Sequence, residues 1–370
     1  MPNKQNLGAK LLPFLKREAF FLITLTATLA AAFVKAPDFS AIHWNVISAL
    51  FCLMLVCAGF DQCNALTSLA GITIRAFNTP RRLGFILIAV TGALAMLVTN
   101  DVALLTIVPL TLTIARMSGE NPALLIILET LSANVCSALT PFGNPQNLYL
   151  YSFYSIPTGD FFAITAPFCA VGLLVLLAIN FLVNRGGYYA TDATKAEITS
   201  KPLLAVSAAG FALNVLSVLR LVDYRISLAA TVLLFLVFGR KMFLKVDYFL
   251  LLTFVCFFLF TGSVTGMPAV KQLFSSLLTT PVAVFLTAAA ASQVISNVPA
   301  AALLSGFTPH YRELLLGVSA GGMGTLIASL ASLISYKLYA NEYKTKKYMR
   351  TFTLLNVLVL AVVTLFILLT

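Results

Sequence analysis

The sequence predicts an all-α polytopic membrane protein with two inverted-topology repeats, about nine transmembrane spans and two re-entrant helical hairpins with broken helices. Of its 370 residues, 60% are hydrophobic and 10% are charged. A soluble domain carries roughly 45–50% apolar and 25% charged residues. Two long apolar stretches are each interrupted by a polar tetrapeptide, Thr99-Asn100-Asp101-Val102 and Ser296-Asn297-Val298-Pro299. Inside the hydrocarbon core, the backbone can leave the helical conformation only where its N–H and C=O groups face protein, water or a ligand.

Apolar runs define the predicted spans, and two of these runs are broken by Pro, Gly and amide residues. In chain order the spans are Ala19–Val34, Trp44–Phe60, Pro122–Leu150 (broken), Phe161–Val183, Pro202–Leu219, Ile226–Phe238, Tyr248–Gly262, Tyr311–Tyr336 (broken) and Thr351–Leu369. The interrupted segments Leu83–Arg116 and Val282–Phe307 are too long for one helix and too short for two. Each therefore fits a hairpin that enters and leaves on the same side.

The distribution of basic residues supports the hairpins and sets the orientation. With both segments as hairpins and the N-terminus in the cytoplasm, 19 of the 24 Lys and Arg residues lie inside and 5 lie outside. Treating each segment as a single crossing gives 15 against 9. Cytoplasmic loops carry the excess of Lys and Arg, so the first topology is preferred. It places the C-terminus outside, in the periplasm, and makes the two repeats inverted, with Pro202–Leu219 between them.

The broken spans that follow the hairpins carry residues suited to binding a small solute. The first break is Thr140-Pro141-Phe142-Gly143-Asn144-Pro145-Gln146-Asn147, and the second is Ser319-Ala320-Gly321-Gly322-Met323-Gly324-Thr325. Half-helix N-termini at the midplane suit an anion, and unwound carbonyls suit a cation. The candidate substrate- or ion-binding residues are Thr99, Asn100, Asp101, Thr140, Gly143, Asn144, Asn147, Ser296, Asn297, Gly321, Gly322 and Thr325.

Two carboxylates are candidates for coupling transport to an ion gradient. Asp101 lies at the first hairpin tip, and an ionisable residue inside a membrane indicates function. Its alternative role is to cap the helix that follows, and the two roles are compatible. Glu129 lies in the apolar run Leu124–Leu131, where a buried carboxyl can load and release a proton. Its alternative role is an internal hydrogen bond to a neighbouring helix.

Several function classes are disfavoured by the same residues. The net charge of +11 arises from basic residues between spans, which set orientation and do not indicate nucleic acid as a partner. The six cysteines lie in or beside apolar runs without metal-ligand spacing, which predicts small buried residues. No nucleophile–base pair emerges, so the sequence does not predict an enzyme or an organic cofactor. The lipid bilayer and a small inorganic or organic anion or cation are the expected partners.

The tips and the first break carry a family resemblance. Thr99–Ala103, Leu139–Asn147 and Gln293–Pro299 resemble the ion transporter superfamily of arsenite permeases, D-type Na⁺/H⁺ antiporters, citrate carriers and divalent anion/Na⁺ symporters. The most similar branch is a group of short bacterial inner-membrane anion permeases. The resemblance implies an elevator mechanism, often in a homodimer. It places a scaffold domain at 1–79 and 202–280 and a transport domain at 80–201 and 281–370.

The resemblance also implies how the tips differ from those of relatives. In dicarboxylate carriers both tips carry Ser-Asn-Thr, which binds carboxylates beside two Na⁺ sites. Asn100 and Asn297 match the central asparagine, whereas Asp101 and Val298 replace the threonines. The candidate ligands of a bound Na⁺ ion are Asn100, Asp101, Asn144 and Asn297.

The resulting prediction is a secondary active transporter of the bacterial inner membrane that moves a small anion coupled to H⁺ or Na⁺. A Na⁺/H⁺ antiporter and an arsenite-type efflux permease are alternatives within transport. A non-transporting membrane receptor or a channel is the alternative from another class.

Overall fold

The computed structural model describes residues 19–68, 79–184, 197–264 and 267–370, and its regular structure is helical throughout that part of the chain. The first half contains α1 (Ala19–Val34), α2 (Trp44–Gln62), α3 (Pro80–Leu97), α4 (Asn100–Ser118), α5 (Ala123–Ser137), α6 (Pro145–Phe153) and α7 (Thr158–Val183). The helix α8 (Lys201–Val218) follows the connector between the halves. The prediction of an all-α polytopic membrane protein is confirmed.

The second half repeats the order of the first after α8. It contains α9 (Tyr224–Phe238), α10 (Tyr248–Val264), α11 (Pro268–Leu277), α12 (Pro281–Ile295), α13 (Asn297–Ser305), α14 (Tyr311–Gly321), α15 (Leu330–Ala340) and α16 (Thr345–Leu369). Short 3₁₀ helices lie at Phe39–Ala41, Arg240–Lys245 and Leu326–Ala328. In each half a helical hairpin (α3–α4, α12–α13) precedes a broken span (α5–α6, α14–α15) and a long continuous helix (α7, α16).

Local sequence explains where the hairpin helices begin and end. Pro80 and Pro281 each occupy the first turn of a helix, after Thr79 and Thr280. Proline is favoured there because the first helical N–H groups have no partner within the helix. The first hairpin ends at Gly119, whose left-handed φ of 69° terminates α4.

The first hairpin enters and leaves on one face of the molecule. Asn184, at the end of α7, donates a 2.7 Å hydrogen bond to the Pro80 carbonyl at the start of α3. Tyr339 in α15 donates to the Asn121 side chain just after α4, at 3.2 Å. Since α5–α6 crosses in one direction and α7 returns, Asn121 and Asn184 lie on the same face, called here the connector face.

The second hairpin opens on the opposite face. The Tyr154 hydroxyl, at the end of α6, lies within hydrogen-bond distance of the carbonyls of Ser305, the last residue of α13, and Thr308, just after it. The chain before α12 lies beside the chain after α13, because the rings of Phe274 and Phe307 stack at 4.4 Å. The two hairpins therefore point at each other from opposite faces, as the inverted repeat predicts.

One expectation about the first hairpin was wrong. The segment Leu83–Arg116 was expected to be too short for two membrane-length helices. The arms extend to Pro80 and Ser118, and each is long and apolar enough to cross a membrane, with 18 and 19 residues. The two arms nevertheless form a hairpin, because a break at Val98 and Thr99 reverses the chain.

Candidate functional site

The two hairpin tips are short and have matching backbone conformations. Thr99 has φ 149° and ψ 156°, and Ser296 has φ 73° and ψ 154°. Side chains other than glycine are rare in this region of backbone space, where each residue stores about 1–3 kcal/mol of strain. The next residues, Asn100 and Asn297, begin α4 and α13. Both tips thus aim a new helix N-terminus, led by a buried asparagine, at the centre of the protein.

The tips meet at a cavity of about 20 Å³, which is room for about one water-sized particle. Its walls come from both hairpins, both broken spans and α10. The lining residues are Asn100, Asp101, Pro145, Gln146, Leu250, Thr253, Phe254, Ser296, Asn297, Val298, Pro299, Ser329 and Leu330. The structure therefore brings together Asn100, Asp101, Ser296 and Asn297, which the sequence predicted from two separate segments.

Four helix N-termini of the described chain converge on this central cavity. Asn100, Pro145, Asn297 and Leu330 are the first residues of α4, α6, α13 and α15, and all four line the cavity. Each N-terminus carries a partial charge of roughly +0.5. The first amides of α4 are already bonded, with Asn100 donating to the Gly143 carbonyl, Asp101 to the Asn100 side chain and Val102 to Thr99. Neither Lys nor Arg is among the described residues that line the cavity. The partial positive charges on this lining thus come from helix N-termini, which are common binding sites for anions in proteins.

Asp101 is the charged side chain in this lining. Its Oδ1 atom is buried and has no hydrogen-bond partner among the described residues. Thr99 supplies the side-chain cap of α4 by accepting a 3.4 Å hydrogen bond from the Val102 amide. Because Thr99 makes that bond, the Asp101 carboxylate is left available to a proton or a cation.

Asn134, which the sequence did not single out, joins the two halves beneath the cavity. Its Oδ1 accepts hydrogen bonds from Asn100 (3.3 Å) and Ser329 (3.0 Å). Its Nδ2 donates to the Gly322 carbonyl and to the Ser332 hydroxyl, both at 3.3 Å. One amide thus links the first hairpin tip to the second broken span.

The first break, between α5 and α6, is held by its own amides. Asn144 caps α6 by accepting from the Asn147 amide at 2.9 Å, and it donates to Ser137 at 3.0 Å. Asn147 donates to the carbonyls of Ala138 and Thr140. These predicted residues lie behind the cavity and hold the start of α6 in place.

Gly143 and Thr140 connect that break to the first hairpin. The Gly143 carbonyl accepts a 3.0 Å bond from the Asn100 amide, and the Thr140 hydroxyl donates to the Met96 carbonyl at 2.7 Å. A Cβ at Gly143 would collide with the carbonyl oxygen of Ser137. Glycine is needed here because backbone packs directly on backbone.

The second break is held against α12 by Gln293, the first residue of the Gln293–Pro299 motif, to which the sequence analysis gave no role of its own. Its Nε2 donates to the carbonyls of Gly321 (2.8 Å) and Met323 (2.9 Å). Its Oε1 accepts from the Thr325 amide at 2.9 Å. Gly322 packs against Asn297, since a Cβ there would lie 2.9 Å from the Asn297 Nδ2. Gly321, Gly322 and Thr325 therefore shape the second tip without lining the cavity.

Glu129 lies apart from the cavity. It is fully buried between α4 and α5, where Thr111 donates a 2.5 Å hydrogen bond to its Oε1. Its Oε2 has no hydrogen-bond partner among the described residues. The internal hydrogen bond expected as one alternative is present, and the coupling role stays a prediction.

The six cysteines are buried free thiols, as predicted. Cys136, the one nearest the first break in sequence, approaches Ser132 at 3.8 Å. It is absent from the lining of the central cavity described above.

A larger cleft of about 520 Å³ leads from the connector face to Asp101. Its mouth carries Asp61 and Lys245, which lie 3.1 Å apart. The adjacent connector residue Thr199 donates its amide to the Cys63 carbonyl at 3.1 Å, which places this mouth at the connector face. Asp101 lines both the cleft and the central cavity, so it separates the two spaces.

Comparison with known proteins agrees with this geometry. The sequence profile of the citrate transporter family (CitMHS) matches residues 10–311. The chain belongs to the citrate transporter family. It is 33% identical over 342 residues to the inner membrane protein YbiR of Escherichia coli, covering 90% of this chain and 91% of that protein. It is 35% identical over 315 residues to the uncharacterized transporter MJ0456 of Methanocaldococcus jannaschii, covering 84% and 85%.

A more distant similarity links the chain to a magnetosome protein. MamN of Magnetospirillum gryphiswaldense is 25% identical over 178 residues, which cover 48% of this chain and 39% of that protein.

The family match and the two relatives of similar length confirm the resemblance to the ion transporter superfamily. The chain is a multi-pass membrane transporter and not an enzyme.

Proposed function

We propose that this protein is a secondary active transporter that moves a small anion across the inner membrane, coupled to H⁺ or Na⁺. The convergence of helix N-termini on one central cavity carries the proposal. Backbone N–H groups and helix dipoles favour an anion, and the asparagine amides of Asn100 and Asn297 add hydrogen-bond donors. The description of the matching family as citrate transporters makes a carboxylate one candidate substrate.

Asp101 supplies a physical reason for coupling. A bare carboxylate beside an anion costs Coulomb energy, which is large away from bulk water. A proton or Na⁺ on the Asp101 carboxylate removes this repulsion, so the anion binds well when the cation is present. In a symporter, binding of the anion depends in this way on binding of the cation, and the dependence is reciprocal. The unpartnered Oδ1 atom of Asp101 is the proposed point of attachment.

The walls of the cavity support an elevator mechanism. Both hairpins and both broken spans belong to the proposed transport domain at 80–201 and 281–370. Leu250, Thr253 and Phe254 face them from α10, which belongs to the proposed scaffold at 1–79 and 202–280. A substrate held by one domain against an apolar wall of the other can be carried across when the first domain slides.

Flux into proteoliposomes tests the proposal. We expect citrate, phosphate or sulfate uptake to be driven by an imposed Na⁺ or pH gradient and to saturate with concentration. Asn100→Ala and Asn297→Ala should each lower the apparent affinity by about tenfold to a hundredfold, because hydrogen bonds to charged groups contribute about 1.5–3 kcal/mol. Asp101→Asn should remove the dependence on the cation gradient. Asn356→Ala, a buried asparagine in α16 whose amide donates within its own helix, is the matched control.

A Na⁺/H⁺ antiporter is the second candidate, and Asp101 is the observation that favours it. A carboxylate is a suitable ligand for either ion, and the central cavity has the size of one water-sized particle. Proton movement driven by a Na⁺ gradient without any added anion would support the antiporter and reject the symporter. Large, unsaturable ion currents would reject both in favour of a channel.

A further inference from the structure

The cleft on the connector face is lined by more acidic than basic side chains. Its charged residues are Asp61 at the end of α2, Lys245 in the 3₁₀ helix, Asp247 at the start of α10 and Asp101 at the tip. Lys245 lies 3.1 Å from the Asp61 carboxylate, so these two charges offset each other at the mouth. Asp247 and Asp101 add two further acidic side chains, and Lys245 is the one basic residue in the described lining. The route to the tip therefore carries a net negative charge.

Asp247 is placed to act on ions that travel along this route. Its side chain is exposed, and it lines the cleft that also contains Asp101. Its Oδ1 also accepts a 3.0 Å hydrogen bond from the Leu250 amide at the start of α10. Leu250 in turn lines both the cleft and the central cavity. A cleft with low-dielectric walls focuses such charge and raises the local concentration of the opposite ion.

We propose that Asp247 raises the local concentration of the coupling cation and draws it from the connector face toward Asp101, while Lys245 moderates its effect. The proposal rests on the proposed function, since it requires cation coupling. Asp247 does not ligate the ion in the central cavity; it sets the local cation concentration above it. Anion binding is left to the helix N-termini that line the central cavity.

Opposite charge changes at neighbouring positions give the sharpest test. Asp247→Asn keeps the helix cap, because asparagine caps as well as aspartate does, and it removes the charge. Lys245→Gln frees Asp61 and makes the cleft more negative. With ²²Na⁺ or a pH-sensitive dye in proteoliposomes, we expect Asp247→Asn to raise the apparent KM for the cation about threefold to tenfold. Lys245→Gln should lower it, and kcat should stay constant for both.

Salt and sidedness separate this effect from a structural one. The shifts should shrink in 1 M choline chloride, where the Debye length falls to about 3 Å. They should appear when the cation is offered from the connector face and not from the other face. Asp223→Asn is the control, since Asp223 also caps a helix, α9, by accepting from the Arg225 amide.

Two results overturn the proposal. Unchanged KM values in both variants, with gradient-driven uptake intact in the unmodified protein, would refute the role of Asp247 and leave the proposed function standing. Shifts of the same sign in both variants, or shifts that persist at high salt, would assign them to altered structure. If the unmodified protein moves neither Na⁺ nor H⁺, the proposed function and this inference fail together.

Discussion

Replacing Asn134 by alanine is expected to loosen the joint between the two halves of the protein. The substitution removes hydrogen bonds to Asn100, Ser329, Gly322 and Ser332. Side-chain hydrogen bonds inside membrane proteins contribute about 0.6 kcal/mol each on average, so four of them contribute about 2.4 kcal/mol. The four groups left without a partner are buried, and unsatisfied buried groups cost about 1–3 kcal/mol each. The expected loss therefore lies above about 2.4 kcal/mol.

The measurement is thermal unfolding of the purified protein in detergent, followed by the fluorescence of its single tryptophan and by size-exclusion chromatography after heating. Asn356→Ala is the matched control, because the Asn356 amide donates to the Phe352 carbonyl within its own helix. We expect Asn134→Ala to unfold at a clearly lower temperature than this control. Equal unfolding temperatures for the two variants would show that the hydrogen bonds of Asn134 do not stabilise the contact between the two halves.

Two further predictions concern a buried acid and a strained tip. Glu129→Gln should keep the hydrogen bond from Thr111 and leave gradient-driven uptake intact, because Glu129 lies away from the described linings of the cavity and the cleft. Loss of uptake at an unchanged unfolding temperature would make Glu129 a second coupling group. Ser296→Gly should raise the unfolding temperature, since glycine relieves about 1–3 kcal/mol of strain at φ 73°. Ser292→Gly, in the interior of α12, should instead destabilise by about 1 kcal/mol, and a fall in both variants would contradict the strain at the tip.

The sequence predicted those parts of the site where the chain violates a rule of membrane helices. Polar residues at Asn100 and Asn297 interrupt apolar runs, and Pro145 cannot continue a helix. Such violations are visible without knowledge of the tertiary structure. The convergence of the two tips could be expected from the inverted order of the halves, because repeats of opposite orientation bring equivalent segments to the same depth.

The contacts of Asn134, and of Gln293 at the start of the Gln293–Pro299 motif, were not predicted because nothing local indicates their partners. Each lies inside a regular helix, where a single amide leaves the hydrophobic pattern almost unchanged. The partners of Asn134 at Gly322 and Ser332 lie 188 and 198 positions away in sequence. Such pairings depend on how α5 packs against α14 and α15, which periodicity does not report. Asp247 was missed for a related reason: at the start of α10 it looks like an ordinary helix cap until the cleft behind it is seen.

In the proposed anion transporter, the attraction for the substrate comes from helix N-termini, which have a property that lysine or histidine would not provide. Peptide N–H groups do not titrate between acid and alkaline growth conditions, so the pull on the substrate is the same at every physiological pH. On the proposed function, the pH dependence of transport then comes from Asp101, from other carboxyl groups, or from protonation of the substrate itself. On this proposal, the fold around Asn100 and Asn297 fixes the attraction for the anion, and a single proton or sodium ion on Asp101 changes it.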